Sequence, residues 1–133
     1  MVLHQSSLIT LDYDPATDIL SLDWPDVKDF LVPEVERELK VLIDTIKHYD
    51  VKKLLIDTSK ARVEVNDTEY QAFISTFAEA LKDTRLQKFA RVGTSDPERE
   101  KLSDRARESS RINLFMEFHS FNTRTEALAW LIA

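Results

Sequence analysis

Asp57 closes a short apolar run, Leu54-Leu55-Ile56, and is followed at once by Thr58, Ser59 and Lys60. A carboxylate at the end of a buried strand, with hydroxyls and an ammonium close behind, can bind a polar group or move a proton. Open α/β sheets place ligands just there, beyond the carboxyl ends of their strands. Asp67 lies a few residues on and could join such a site. The plainer reading is that Asp57 bonds backbone N–H groups of its own turn, as Asp commonly does, and this reading is preferred. No wider catalytic set accompanies it. Carboxylates are plentiful, but none stands in an apolar setting that would drive two pKa values apart. No Ser-His-Asp order and no nucleophile elbow can be read. His4, His48 and His119 lack HxxxH or HxH spacing, so no metal site is expected, and His48 reads as a surface or dipole-complementing residue near a helix end. No catalytic residue and no cofactor is expected.

Gly93 is the single glycine of the chain. Phosphate-cradling loops need several glycines so that backbone N–H groups can approach the anion. Neither GxGxxG nor GxxxxGK[ST] can be written here, which argues against ATP or NAD held in those ways. Cys is absent, so thiol chemistry and disulfides are excluded and a zinc site would need His and carboxylates.

The elements that would position Asp57 follow from periodicity. Ser7 to Tyr13 alternates Ile9, Leu11 and Tyr13 against Leu8, Thr10 and Asp12, a strand pattern. Asp14-Pro15-Ala16-Thr17-Asp18 is a turn, and Ile19 to Trp24 continues as the second arm of an antiparallel hairpin. Pro33 suits the first turn of a helix, with Glu34, Glu36 and Glu38 complementing its dipole. Val32, Val35, Leu39, Leu42, Ile43, Ile46 and Tyr49 form its apolar stripe. Val51 to Asp57 is the third strand, its apolar centre suggesting burial on both faces.

A second helix opens at Asn66, which with Glu69 has capping-box spacing, while Val65 and Tyr70 fall at staple positions. Tyr70, Phe73, Ile74, Phe77, Ala78 and Leu81 make its stripe, read as core. Gln87 to Thr94 is a fourth strand. Ser95-Asp96-Pro97-Glu98 starts a polar helix to about Ser110, anchored by Leu102 and Ala106. Ile112 to Phe118 reads as a fifth strand, and Thr123 with Glu126 opens a closing helix. Phe115, Phe118, Phe121 and Trp130 are expected to pack in the core, the alternative being an apolar cavity or patch. The order β-β-α-β-α-β-α-β-α predicts one α/β domain over residues 1–133, with a single mixed sheet of about five strands and helices packed on it.

Composition limits the partners. The chain has 133 residues, 43% hydrophobic and 32% charged, with net charge −6. That is a soluble globular balance. An acidic total argues against general nucleic-acid binding. Residues 1–50 carry a net −7 and the remainder +1, read as a solvated acidic face, with a surface for a basic partner as the sharper alternative. Residues 1–7, MVLHQSS, lack the basic and apolar regions of a signal peptide. No apolar run approaches the roughly 20 residues that span a bilayer. A cytoplasmic location with no integral membrane segment is the expectation.

Three stretches carry a resemblance. An opening hairpin precedes a long helix, LLIDTSKARV leads through a loop to NDTEYQAF, and a late strand is followed by TEALAWL. Together they resemble the STAS domain, the fold of bacterial anti-sigma-factor antagonists, and especially its divergent SpoIIAA-like branch. The closing TEALAWL is similar to that branch's EEAL-x-WL. The resemblance covers nearly the whole chain and implies a regulatory or protein-interaction module. In the family's antagonists a phosphorylatable Ser stands at the start of the second helix, where a phosphate would rewrite local charge. The corresponding region here is Val65-Asn66-Asp67-Thr68, with neither that Ser nor the Gly after it. Thr68 is a substitute acceptor on this reading, and Asp67 a permanent negative charge. The fold also looks like that of CRAL-TRIO lipid-transfer domains.

The expected function is therefore non-enzymatic: a regulatory module that meets an unknown protein partner, with a homodimer compatible. The surface expected to do so comprises Asp57, Thr58, Ser59, Lys60, Asn66, Asp67 and Thr68. Two alternatives stay open: a carrier of an apolar small molecule or lipid, using a cavity between the sheet and the second or fourth helix, and an enzyme using Asp57 with Lys60.

Overall fold

The computed structural model describes residues 1–133, the side chain of Asp29 excepted. Its elements are β1 (Val2–Gln5), β2 (Thr10–Asp14), β3 (Ile19–Asp23), β4 (Val27–Lys28), α1 (Val32–His48), β5 (Lys53–Asp57), β6 (Val63–Glu64), α2 (Asp67–Lys82), β7 (Lys88–Val92), α3 (Pro97–Ser110), β8 (Glu117–Phe121) and α4 (Arg124–Ile132). Six strands form one mixed sheet in the order β1-β2-β3-β5-β7-β8. The first three pair antiparallel, and β3, β5, β7 and β8 run parallel. Strand order along the sheet thus follows chain order.

The parallel strands are joined by α1, α2 and α3. Right-handed crossovers that all step the same way put all three helices on one face. Leu20, Leu22, Leu54, Ile56 and Phe89 point to that face and meet Val35, Leu39, Leu42 and Ile46 of α1, Phe73, Phe77 and Leu81 of α2, and Leu102 of α3. The other face carries Ile19, Leu55, Ala90 and Val92, covered by Ala127 and Leu131 of α4. Leu54 and Leu55 therefore serve opposite cores, which explains why β5 reads as a continuous apolar run.

The caps match their sequence signals because they are local. Asn66 accepts a hydrogen bond from Glu69 N, Asp96 from Glu98 N and Thr123 from Glu126 N. Each satisfies an N–H that the helix itself leaves open.

Five expectations are corrected. β1 had no predicted counterpart, so the sheet gains a sixth strand. Ser6 builds its turn, with Oγ accepting from the N–H groups of Leu8 and Ile9, and the predicted strand over 7–13 begins only at Thr10. The strand predicted over 112–118 is instead a 3₁₀ turn, Ile112–Leu114, followed by β8. Ile112 and Met116 are buried, four residues apart, whereas Leu114 is 78% and Phe115 56% exposed. That is the spacing of a helical turn, not of a strand, and Phe115 is thereby outside the core. Tyr49, placed on the α1 stripe, lies past the helix end and is exposed against His48.

Arg111 causes the strand's displacement. It ends α3 in the left-handed region, φ 56°, with its N–H bonded to Arg107 O and Glu108 O. Asp18 holds a similar angle, φ 59°, in the β2–β3 turn. Its carboxylate justifies the strain: Oδ1 accepts from the Tyr13 hydroxyl at 2.7 Å and Oδ2 from Lys52 N at 3.2 Å. The Asp18 hydrogen bond, with burial and the Asp18 charge, pushes the Tyr13 hydroxyl up to about 12. The Arg111 side chain has no hydrogen bond or ion pair among the described residues. Arg111→Gly should therefore stabilise the protein by about 0.5–1 kcal/mol, the left-handed penalty less the added chain entropy. Asp18→Gly, at nearly the same backbone angle, should destabilise it. Urea midpoints at constant m-value would show the opposite signs.

Candidate functional site

The carboxyl ends of β3, β5 and β7 meet the start of α3 and the segment leading into α2. Asp57 ends β5 and organises its own turn: Oδ1 accepts from Ser59 N at 2.9 Å and from the Ser59 hydroxyl at 2.6 Å. The Arg124 guanidinium comes round from α4, Nη1 lying 3.6 Å from Asp57 Oδ2 and 3.4 Å from Asp23 Oδ1. Asp57 is thus engaged on both oxygens. Lys60 is exposed and bonds to nothing among the described residues, so Asp57 and Lys60 are not brought together as an acid–base pair.

Thr58, expected on the surface, is buried. Its hydroxyl donates to Val92 O at 2.6 Å and its N–H to the same carbonyl at 2.9 Å, pinning the loop to β7. The loop is tied further along. Ala61 O accepts from Arg99 Nη1 at 2.7 Å, and Arg62 N donates to Asp26 Oδ1 at 2.8 Å. β6 then pairs with β4, Val27 opposite Val63 and Lys28 opposite Glu64. Ser59 and Lys60 are exposed above these ties, as are Asn66, Asp67, Thr68 and Glu69 where α2 begins. Asn66 is committed as the cap, at 2.9 Å from Glu69 N.

Sequence reading missed the strongest charge pair of the region. Arg91 sits on the core face of β7, opposite Ile56, and is only 8% exposed. A guanidinium there must be matched. Glu100 of α3 matches it fork to fork, Nη1 to Oε1 at 2.9 Å and Nη2 to Oε2 at 2.7 Å. Thr94 N and the Thr94 hydroxyl also donate to Oε2. Gly93 lies beneath the pair: a Cβ there would collide with Glu100 Oε1 and come within 3.4 Å of Arg91 Nη1. The one available signal was Arg91 itself, a charge inside the apolar run Phe89 to Val92.

Below this end of the sheet is a cavity of about 70 Å³. Ile56, Phe89 and Phe118 of the sheet, Phe77 and Leu81 of α2, and Ala106 of α3 enclose it, with the Trp24 indole in its wall. Trp24 packs against Phe73 and Phe77, with ring centroids 6.1 and 5.5 Å away. Its Nε1 is buried and has no hydrogen-bond partner among the described residues. An N–H left this way costs about 1–3 kcal/mol.

The three histidines are apart: His4 bonds Glu38 at 2.8 Å, His48 packs on Tyr49 and His119 on Trp130. No group of three His, Asp or Glu among the described residues could hold a metal ion. Among the described residues no helix is long and apolar enough to cross a membrane.

Burial pushes the Glu100 carboxyl up, but the Arg91 hydrogen bonds and charge, aided by Thr94, outweigh this and hold it below its ordinary value of 4.5. A lowered folded-state pKa contributes stability that is present above the unfolded value and lost as pH falls through the folded one. Glu100→Gln should therefore cost about 1.5–3 kcal/mol near neutral pH, the range for hydrogen bonds to a charged group. Thermal melts of the two proteins should approach one another as pH falls from 4.5 and converge once it has passed below the lower folded-state value, because the wild type alone loses this contribution there. Parallel curves would show that the charge of Glu100 is not what holds the pair.

No family model matches the chain, and no curated protein matches it. Among solved structures it is similar to an uncharacterized protein of the DUF3478 family with a SpoIIAA-like fold, from Shewanella loihica PV-4. The TM-score is 0.59 at 14% identity, over 96% of this chain and 98% of that one. The mixed sheet, the three helices on one face and the near-complete overlap together give this chain a SpoIIAA-like fold.

Proposed function

We propose that the protein is a non-enzymatic regulatory module that docks a protein partner through the segment from Asp57 to Thr68 and the start of α2. The observation that carries this reading is that the segment is exposed yet held. Thr58, Ala61 and Arg62 are tied to β7, α3 and the turn after β3, while Ser59, Lys60, Asp67 and Thr68 face outward. A surface already ordered before docking loses little conformational entropy on association, so modest contacts suffice. Asp67 and Glu69 add negative charge beside the α2 N-terminus, and Lys60 and Arg62 positive charge on the loop. Such a mixed polar rim selects a partner by charge pattern.

Asp57 supports a structural part better than a catalytic one, since Ser59 and Arg124 occupy its oxygens. Thr58 is excluded from the contact surface by its burial and acts as the loop's anchor. The carrier alternative has the cavity beneath α2 and α3 in its favour, though 70 Å³ is short of an acyl chain.

The test is a paired affinity capture from the native host with the wild type and Asp67→Ala/Thr68→Ala. Both substitutions are exposed, so thermal stability should move by no more than about 0.5 kcal/mol. A partner held by the wild type should be recovered at least about tenfold less by the variant, a loss of about 1.4 kcal/mol. If every protein recovered with the wild type is recovered equally with the variant, this surface is not the docking site.

A further inference from the structure

The two edges of the sheet are finished differently. At β1 the edge is blunted, its pairing with β2 broken by a register shift between Val2 and His4. Irregularities of this kind turn an edge away from other chains, as Lys and Pro also do. β8 closes the opposite edge with no shift in its pairing and with no Lys or Pro in its sequence. Glu117 N donates to Gln87 O, and Phe121 O accepts from Gly93 N. Both residues thus turn their backbone groups toward β7, and strand alternation turns His119 the same way. Phe118 and Ser120 turn theirs outward, where no further strand lies among the described residues. We infer that β8 is a dimer interface, pairing antiparallel with β8 of a second copy of this chain about a two-fold axis through His119.

A second copy is the occupant because the strand is complementary to itself about that axis, as an isologous interface requires. Phe118 comes opposite Ser120 and Ser120 opposite Phe118, each pair exchanging both N–H···O bonds. An axis at Phe118 would set Ser120 against Met116, whose N–H is already given to Ile112 O. An axis at Ser120 would set Phe118 against Asn122, beyond the end of the strand. The axis at His119 uses every outward group. The side chains agree with it. On the face where Phe118 packs, a bulky ring meets a small hydroxymethyl group at both positions. On the α4 face, which carries Phe121 and Trp130, His119 meets its own equivalent. Glu117, the strand's one carboxylate, meets Phe121, so no two acids are opposed, a pairing that antiparallel strands disfavour. Leu114 and Phe115, 78% and 56% exposed just ahead of the strand, add apolar area beside the short ladder.

This interface shares no residue with the segment from Asp57 to Thr68, so Asp67→Ala/Thr68→Ala should dimerise as the wild type does. The chain has no Cys, and a single introduced one therefore reports the register. On the axis, the two Cα atoms at His119 would lie roughly 4.5 Å apart, within disulfide reach. The two at Ser120 would lie roughly 8 Å apart, beyond it. Full-length His119→Cys and Ser120→Cys are oxidised with glutathione disulfide at equal concentration and followed on non-reducing gels. His119→Cys should form the covalent dimer at least about tenfold faster, because pairing holds its thiols together. Ser120→Pro removes an outward N–H that β7 does not use, which an edge strand tolerates. It should keep its circular dichroism spectrum and weaken self-association, read by sedimentation equilibrium, at least about tenfold. A wild type that is still monomeric at about 1 mM, equal cross-linking of the two cysteine variants, or undiminished association in Ser120→Pro overturns the inference. Should Ser120→Pro fail to fold, wild-type sedimentation and the cysteine pair decide alone.

Discussion

A guanidinium on the core face of a central strand governs the architecture at the carboxyl end of the sheet. Arg91 occupies a position that its neighbours Phe89 and Ile56 give over to hydrocarbon. An unpaired charge there would cost several kcal/mol, and pairing with good geometry is what makes it tolerable. That requirement brings Glu100, and with it the first turns of a helix that has few apolar anchors of its own. It also dictates Gly93, because any Cβ would occupy the space of the Glu100 carboxylate. A helix as polar as α3 would pack weakly on hydrophobic contacts alone. Here directional charge-assisted bonds do much of the positioning.

Around that pair the end of the sheet is closed by side chains arriving from separate elements. Arg99 from α3 holds Ala61, Arg124 from α4 spans Asp23 and Asp57, and Asp26 receives Arg62. The two arginines come from opposite faces of the sheet. Exposed pairs of this kind contribute little to stability singly, but each restrains the segment between β5 and α2. The outcome is a surface that is firm without being buried, and it adjoins a cavity whose wall includes Thr58 and Arg91, two of the groups that hold it. Surface and cavity therefore share their supports.

What could be read from the chain was what neighbouring residues decide. The caps at Asn66, Asp96 and Thr123, the stripe from Tyr70 to Leu81 and the doubly buried β5 all rest on contacts within a few residues or on a clear period. The SpoIIAA-like fold followed from their order. β1 escapes a reading by period because it is four residues long and its pairing with β2 is interrupted by a register shift between Val2 and His4. Ile112, Leu114 and Met116 mimic alternation, whereas the chain past the left-handed Arg111 makes a separate 3₁₀ turn before β8 begins. The partners of Arg91, Arg99 and Arg124 are set by the fold, from 9 to 101 residues away, and no local pattern announces them. At the candidate site, the self-bonding of Asp57 was legible and the burial of Thr58 was not, since it depends on where β7 ends.

The agreement between strand order and chain order has a bearing on how the protein is made. No strand has to be inserted between two that are already paired. As the chain leaves the ribosome from its N-terminus, the β1–β2–β3 meander can form first, and each later strand adds to the free edge left by the one before, delivered by the helix that covers it. Every addition closes a loop of one helix, so no long-range search is required at any stage. The second face is different. Ile19 and Leu55 await Ala127 and Leu131, which emerge after every strand of the sheet. A nascent chain therefore carries one finished core and one open one until α4 emerges, and α4 is the point at which the growing sheet stops being sticky.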